Sequence, residues 1–298
     1  MNENPSASDW AAARGEKWLA QLSGMERMLA PVDQPLIRAL RLEGLYKIAD
    51  VGCGGGGTTL EILRRAPAGS VVHGFDISPA LIEAARARVQ TEPVQTEPVQ
   101  TGPVQTEMRI AFEVADAATA TPGRYQRLVS RFGIMFFDQP GAAFANLAEW
   151  LAPGGRFAFA AWGPLAENPW MTSIRDAVAN SLAASNINPP PSDPEAPGPF
   201  RYADADKLLT LLTTAGFSGL QVDDWRGPLA FGGGLPAAEA ANFALESIAS
   251  AAEILAKAGD EALNRARQSL TARFAENERN GAVHMGACVH IVTGGARL

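Results

Sequence analysis

The chain has little cysteine, no excess of basic residues and no long uninterrupted apolar run. Its two cysteines, Cys53 and Cys288, form no disulfide framework and match no zinc-ligand spacing, so we expect a reduced, cytoplasmic protein without a metal. Phosphate binding needs clustered cations, and the net charge of −7 therefore disfavours a nucleic-acid partner. Apolar runs stop short of the roughly 20 residues that a membrane span needs, and no signal peptide is expected.

A glycine-rich stretch stands between a short apolar run and a helical pattern. Residues Ile48 to Thr59 read I-A-D-V-G-C-G-G-G-G-T-T. Glycine lets the backbone approach a ligand closely, and the first amides of the following helix have no internal partners. Strand, loop and helix together predict a site for the polar part of a nucleotide-like cofactor. Asp50, just before the first glycine, favours an ammonium group over a phosphate as its neighbour.

Two further acids follow apolar runs. The run Val71 to Asp76 ends in an acid at the position where doubly wound folds hold the ribose hydroxyls, and Ile77 follows where it can cover a purine face. Asp116 comes just after the run Arg109 to Val114. Carboxyl ends of parallel strands meet at one edge of a sheet, so we expect all three acids in one crevice.

Strand and helix patterns alternate through the first half of the chain, which predicts an α/β fold with a doubly wound, mostly parallel sheet. The predicted strands span 48–50, 71–76, 109–114, 127–132 and 156–162, and the predicted helices span 58–66, 80–89 and 140–151. Helical spacing also predicts helices within residues 9–43, either as ordinary packing or as a lid over the cofactor.

Five short motifs, in this order, resemble those of class I S-adenosylmethionine-dependent methyltransferases, most closely the small-molecule and quinone-type enzymes. They read D-V-G-C-G-G-G, G-F-D-I-S, V-A-D-A, V-S-R-F-G and L-A-P-G-G-R-F. The resemblance implies a Rossmann-like, seven-stranded, mostly parallel sheet with a final antiparallel pair, and S-adenosyl-L-methionine as the cofactor. It also implies a set of cofactor-binding residues, namely Asp50, Gly52, Cys53, Gly54, Asp76, Ile77, Asp116, Ala117 and Ser130.

In that family, the acid at the position of Asp50 would hold the α-ammonium group of the methionine moiety. Asp76 would accept from both ribose hydroxyls, and Ile77 would pack on the adenine ring. Asp116 would accept from the adenine amine, with the amide of Ala117 near a ring nitrogen. The backbone around Ser130 would meet the methionine end.

We divide the chain into three parts. Residues 1–44 are predicted to form a helical N-terminal cap and residues 45–162 the cofactor-binding core. Within the core, residues 89–107 repeat V-Q-T-E-P, which predicts an extended or disordered surface loop without a chemical role. Residues 163–298 are predicted to form a helical, proline-rich lid or substrate region and the last strands. The predicted elements there are helices near 171–184, 204–215 and 237–273, and strands at 220–222 and 288–293.

The acceptor pocket is expected to be apolar and aromatic, and its candidate residues are Trp18, Phe132, Met135, Trp162 and Trp170. The sequence does not identify a catalytic base, and Arg131 and His284 are only weak catalytic candidates. The expected function is methyl transfer to an O, N or C atom of a small acceptor, such as a quinone-like or phenolic metabolite. A non-catalytic cofactor-binding or regulatory protein and an NAD-dependent oxidoreductase are the alternatives. The acceptor, the methylated atom and the oligomeric state, including a homodimer, stay open.

Overall fold

A computed structural model describes residues 15–92, 99–100, 106–185, 193 and 195–296. The strands are β1 (Lys47–Val51), β2 (Val71–Asp76), β3 (Val99–Gln100), β4 (Thr106–Glu107), β5 (Ile110–Val114), β6 (Tyr125–Arg131), β7 (Leu151–Trp162), β8 (Phe217–Ala230), β9 (Glu278–Arg279) and β10 (Ala282–Ala296). The helices are α1 (Gly15–Leu29), α2 (Asp33–Ala39), α3 (Gly57–Arg65), α4 (Pro79–Thr91), α5 (Pro140–Trp150), α6 (Pro169–Ala183), α7 (Ala205–Thr214), α8 (Ala237–Ser247), α9 (Ala249–Ala258) and α10 (Asp260–Ala275).

The main sheet follows the order β5-β2-β1-β6-β7-β10-β8, with the short β9 paired to β10. Pairings from β5 through β7 are parallel, whereas β10 runs antiparallel to both β7 and β8. This arrangement confirms the predicted Rossmann-like α/β fold with seven strands along the path of the sheet and a final antiparallel pair. The two-residue β9 is an addition that the sequence did not suggest.

The central strands are apolar because helices cover both faces of a parallel sheet. Ile48 and Ala49 of β1 and Leu128 and Val129 of β6 are fully buried. The connections that follow β1, β2, β5 and β6 therefore emerge together at the carboxyl edge of the sheet. Among the described residues, no helix combines the length and the apolarity needed to cross a membrane.

The last two strands are much longer than their patterns predicted. The predicted strands at 220–222 and 288–293 lie within β8 and β10, and their pairing is confirmed by the register Val222↔Val292. The short length predicted for β8 was wrong because β8 is the edge strand of the sheet, and β10 is longer than predicted because it pairs with β8 from His284 to Ala296. One of its faces meets solvent, so polar residues and Pro228 interrupt the apolar pattern without ending the strand.

The repeat contains more regular structure than predicted. Helix α4 continues to Thr91, inside the first copy, and β3 pairs with β4 in a small antiparallel sheet separate from the main one. The remaining repeat residues, 93–98 and 101–105, lie outside the described residues, as do the predicted helical residues 9–14 and the prolines at 189–191. The division into cap, core and lid stays a prediction.

Candidate cofactor and acceptor site

A cavity of about 360 Å³ opens at the carboxyl edge of the sheet, where β1, β2, β5 and β6 end. It gathers residues that are far apart in the sequence, which confirms the expectation that the three acids share one crevice. The predicted cofactor residues on its wall are Asp50, Gly52, Cys53, Gly54, Asp76, Ile77, Asp116 and Ala117.

Two glycines of the glycine loop are closely packed, against different neighbours. Gly52 has φ of +69°, and a Cβ atom there would lie 2.9 Å from the Cα atom of Gly133. The loop after β1 and the loop after β6 therefore touch, backbone against backbone. At Gly55, a Cβ atom would collide with the side chain of Leu22, which means that α1 packs directly on the loop.

Asp50 carries the clearest sign of a missing partner. Its Oδ2 accepts a hydrogen bond of 2.7 Å from the Thr59 hydroxyl, whereas its Oδ1 is buried without a hydrogen-bond partner. Burial raises the pKa of Asp50 to about 7, against the opposing effects of Thr59 and of nearby Arg131. A cation that reached Oδ1 would satisfy this oxygen and stabilise the carboxylate. The site thus fits the ammonium group that the resemblance assigns to it.

Asp76 is held in place by the backbone around it. The amides of Gly54 and Ser78 each donate to one of its two oxygens at 2.9 Å. Burial raises the pKa of Asp76, and these amide hydrogen bonds oppose the rise. A carboxylate oxygen has more than one acceptor position, so both oxygens can still accept from a diol. The geometry fits a pair of ribose hydroxyls.

Asp116, in the loop after β5, is also held in place by backbone amides. Its Oδ1 accepts from the amide of Ala118 at 2.8 Å, and its carbonyl accepts from the amides of Thr119 and Ala120. Both Asp116 and the neighbouring Ala117 line the cavity. The turn therefore offers one carboxylate and backbone polar groups to a ligand in the cavity, which Ile77 also lines.

Arg131 lies on the cavity wall in an ion pair that the sequence did not suggest. Its guanidinium donates to Asp33 at 2.9 Å, with both side chains close to nine-tenths buried. Thr58 donates to the other oxygen of Asp33 at 2.9 Å. Burial raises the pKa of Asp33, and Arg131 and Thr58 oppose it. Only the tertiary structure brings Asp33, from α2, to the end of β6.

The helix α1 covers the glycine loop, which is the lid arrangement left open from the sequence. Trp18, Leu22 and Glu26 of this helix all line the cavity. Glu26 forms a bidentate ion pair with Arg88 of α4, with distances of 2.9 and 2.5 Å. The pair ties α1 to the core beside the loop. Sequence reasoning missed Glu26 because an acid on a helix is most often a surface residue.

The aromatic wall includes only part of the predicted acceptor set. Trp18 and Phe132 line the cavity, together with Phe136 and Phe137. Phe132 has φ of +62°, an uncommon conformation for a bulky residue, and its ring stacks on Trp162 with centroids 4.3 Å apart. Strained backbone of this kind tends to occur at functional sites.

Three predicted acceptor residues are not on the cavity wall. Met135, Trp162 and Trp170 are buried behind it, because their large apolar surfaces are used to pack α6 and the loop after β6 onto the sheet. Trp170 donates its indole hydrogen to Asn168 at 3.2 Å, so its polar atom is satisfied within the core. Their predicted contact with an acceptor is not supported by this geometry.

Two other predicted residues also lie away from the cavity. The side chain of Ser130 is fully buried, and its hydroxyl donates to the carbonyl of Val51 at 2.6 Å, so it joins β6 to β1 beneath the wall. The prediction concerned the backbone around Ser130, and the next residues, 131–133, do line the cavity. His284 is exposed near the start of β10, and its ring contacts the carbonyl of Ala282. Of the two catalytic candidates, only Arg131 lines the cavity. The described residues bring together no metal-binding cluster of His, Cys, Asp or Glu.

The sheet order and the cavity together define a Rossmann-like cofactor-binding protein. Residues 48–155 match the family described as a methyltransferase domain. This match supports a class I S-adenosylmethionine-dependent methyltransferase domain over these residues, as the motifs suggested, and the cofactor of that class is S-adenosyl-L-methionine.

Two curated relatives carry methyltransferase names. Trans-aconitate 2-methyltransferase of Methylobacterium radiotolerans is 33% identical over 161 residues, which are 49% of this chain and 55% of that protein. Malonyl-[acyl-carrier protein] O-methyltransferase 1 of Ilyobacter polytropus is 26% identical over 180 residues, or 60% of this chain and 55% of that protein. The chain thus spans about half the length of these curated relatives.

The YcgJ protein of Bacillus subtilis has a similar fold. Its crystal structure superposes with a TM-score of 0.54 at 14% identity, covering 89% of this chain and 98% of that chain. At this identity the likeness supports the fold alone.

Proposed function

We propose that this protein transfers a methyl group from S-adenosylmethionine to an oxygen atom of a small organic acid with an apolar body. The buried, unpartnered Oδ1 of Asp50, on the wall of the cavity beside the glycine loop, supports binding of the cofactor, and the names of two relatives support an acid as the acceptor. A buried carboxylate oxygen without a partner is unfavourable, and the ammonium group of the cofactor supplies the partner.

The cofactor would lie along the three acids. Asp50 would hold the ammonium group, and Arg131, already paired with Asp33 beside it, would face the carboxylate of the methionine moiety. Asp76 would accept from the ribose hydroxyls, and Asp116 from the adenine amine. Opposite charges at the two polar groups of one amino acid would fix its orientation.

The acceptor would occupy the aromatic part of the cavity. Phe132, Phe136 and Phe137 offer flat apolar surfaces there, and Trp18 of α1 faces the glycine loop. Two relatives are named for methylating trans-aconitate and a malonyl group, both of which are acids. A carboxylic acid is ionised at neutral pH, so its methylation needs no catalytic base.

When bound, the cofactor supplies a methyl group that is already activated by the sulfonium. The residues of this chain then have to orient the cofactor and the acceptor and to enclose both. Holding two reactants in line can lower the barrier by roughly 7–11 kcal/mol. The rigid wall at Phe132 and the covering helix α1 provide that orientation and exclude water.

Binding and turnover are tested separately. We expect the purified protein to bind S-adenosylhomocysteine, and not NAD, in a calorimetric titration. Asp76→Ala should weaken this binding by tenfold or more, because two charge-assisted hydrogen bonds of about 1.5–3 kcal/mol each are lost. Asp223→Ala is the matched control, since Asp223 is an exposed acid on β8 outside the cavity.

Turnover is then measured with labelled cofactor and a panel of small carboxylic acids, phenols and amines. Formation of a methyl ester from an acid would support the proposal. Methylation of only phenols or amines would contradict the acceptor class, and cofactor binding without any turnover would favour a non-catalytic role.

A further inference from the structure

A second cavity, of about 300 Å³, lies at the opposite edge of the sheet, beside the amino-terminal ends of β6 and β7. Its charged lining residues are Arg41, Arg127, Arg156 and Glu43. The lining holds three guanidinium groups and one carboxylate, so it carries two net positive charges. Glycines at 154–155 of β7 and at the end of β10 form much of the remaining wall.

Arg127 and Arg156 are direct neighbours in the sheet. They are register partners on the parallel strands β6 and β7, so their side chains leave the sheet side by side. Burial lowers the pKa of Arg127. Tyr46 and the carboxylate of Glu43 oppose this change, and the positive charge of Arg156 adds to it. Two like charges in such positions are unfavourable unless an anion lies between or beside them.

Each of the three nitrogens of Arg127 already donates one hydrogen bond. Its Nε donates to the carbonyl of Leu40 at 2.6 Å, and its two terminal nitrogens donate to the carbonyls of Gln126 and Arg41. The ring of Tyr46 lies 3.7 Å from its guanidinium carbon. Arg127 therefore fixes the backbone at the rim of the cavity with three of the five N–H groups that a guanidinium has, and it also supplies positive charge.

Arg156 and Arg41 differ from Arg127 in this respect. The Nε atom of Arg156 is buried without a hydrogen-bond partner, and neither side chain forms an ion pair with a described residue. Gly295 pairs with Arg156 on the neighbouring strand β10 and brings no side chain to fill the space. A buried donor without an acceptor is unfavourable by about 1–3 kcal/mol, more when it is charged.

We propose that the cavity between Arg41, Arg127 and Arg156 binds a phosphate group, as a site separate from the cofactor cavity. A phosphate dianion matches the two net positive charges and can accept from Nε and a terminal nitrogen of one guanidinium at once. The group could belong to inorganic phosphate or to a small phosphate monoester, since both present the same oxygens.

Calorimetric titration with inorganic phosphate, at constant ionic strength maintained with chloride, tests the proposal. We expect saturable binding by the full chain that Arg156→Gln weakens tenfold or more and Arg41→Gln weakens threefold or more. Arg124→Gln is the matched control, because Arg124 is exposed just before β6 and pairs only weakly with Glu149, at 3.6 Å. A parallel titration with glycerol 3-phosphate shows which source of phosphate binds more tightly.

The Arg41→Gln variant also separates a loss of phosphate binding from a loss of folding. Arg41 is exposed, and its contact with Arg127 uses only the backbone carbonyl, so this variant should fold and bind S-adenosylhomocysteine like the unmodified chain. Absence of saturable phosphate binding, or equal phosphate affinity in the unmodified chain and the Arg41→Gln variant, would overturn the proposal.

Discussion

Thr59 donates to Oδ2 of Asp50 at 2.7 Å, and no described residue donates to Oδ1 of the same carboxylate. The threonine lies on the first turn of α3 and the aspartate on β1, so the pair spans the glycine loop. One oxygen is held by the fold and the other is left for a ligand. This half-satisfied carboxylate explains why burial raises the pKa of Asp50 to about 7.

The raised pKa predicts a pH-dependent stability of the ligand-free protein. The unfolded chain ionises Asp50 near its ordinary pKa of 3.8, whereas the folded chain does so near 7. The folded state therefore binds the proton more tightly, and stability falls as pH rises from about 4 to about 7. Above pH 7 the loss in the free energy of unfolding is complete and amounts to about 4 kcal/mol, at 1.36 kcal/mol per pKa unit.

Asp50→Asn should remove that loss. In urea unfolding at several pH values, the free energy of unfolding of the variant relative to the unmodified chain should increase between pH 4 and pH 8. Asp223→Asn, at an exposed position of β8, should run parallel to the unmodified chain. Parallel curves for Asp50→Asn as well would show that Asp50 has an ordinary pKa.

The ion pair between Glu26 and Arg88 is expected to hold α1 over the bound cofactor and so to slow the dissociation of the cofactor. Glu26→Gln should weaken S-adenosylhomocysteine binding several-fold and speed its dissociation, because a partly buried bidentate pair loses one of its charges. Stopped-flow displacement measures the dissociation rate. Glu16→Gln serves as the control, since Glu16 is exposed on the same helix.

The same pair permits a double-mutant cycle. Arg88→Gln should have a similar effect, and the double variant should be little worse than either single one. Strictly additive losses would mean that the two residues act independently, and that the pair does not hold α1 over the cavity.

The repeat predicts a nearly silent deletion. Removing residues 89–103 joins Arg88 to Val104, and the residues that then follow Arg88 are again V-Q-T-E. Glu107 would replace Glu92, which pairs with Arg64 and with Arg88. Loop-closure entropy changes by only about 0.6 kcal/mol per doubling of length, so the deletion should hardly alter stability.

We expect the melting temperature and the affinity for S-adenosylhomocysteine to survive this deletion. Replacing Glu107 by Gln in the shortened chain is a useful comparison, since it would remove the restored ion pairs. An insoluble deletion variant, or a tenfold loss of cofactor affinity (~1.4 kcal/mol), would show that the repeat is a working part of the fold.

The sequence by itself determined the sheet, the glycine loop and the positions of Asp50, Asp76 and Asp116. These features follow from local rules, because apolar runs make buried strands and the carboxyl ends of parallel strands meet at one edge. It could not give the length of β8, because an edge strand with one exposed face lacks a continuous apolar pattern.

Only the tertiary structure decided which polar and aromatic residues meet around the cavity. Arg131 meets Asp33, and Glu26 meets Arg88, across 98 and 62 residues of chain. Trp162 and Trp170 look like pocket residues in the sequence, yet they pack behind Phe132 in the core. Aromatic side chains satisfy a core and a pocket equally well, so only three-dimensional packing distinguishes the two roles.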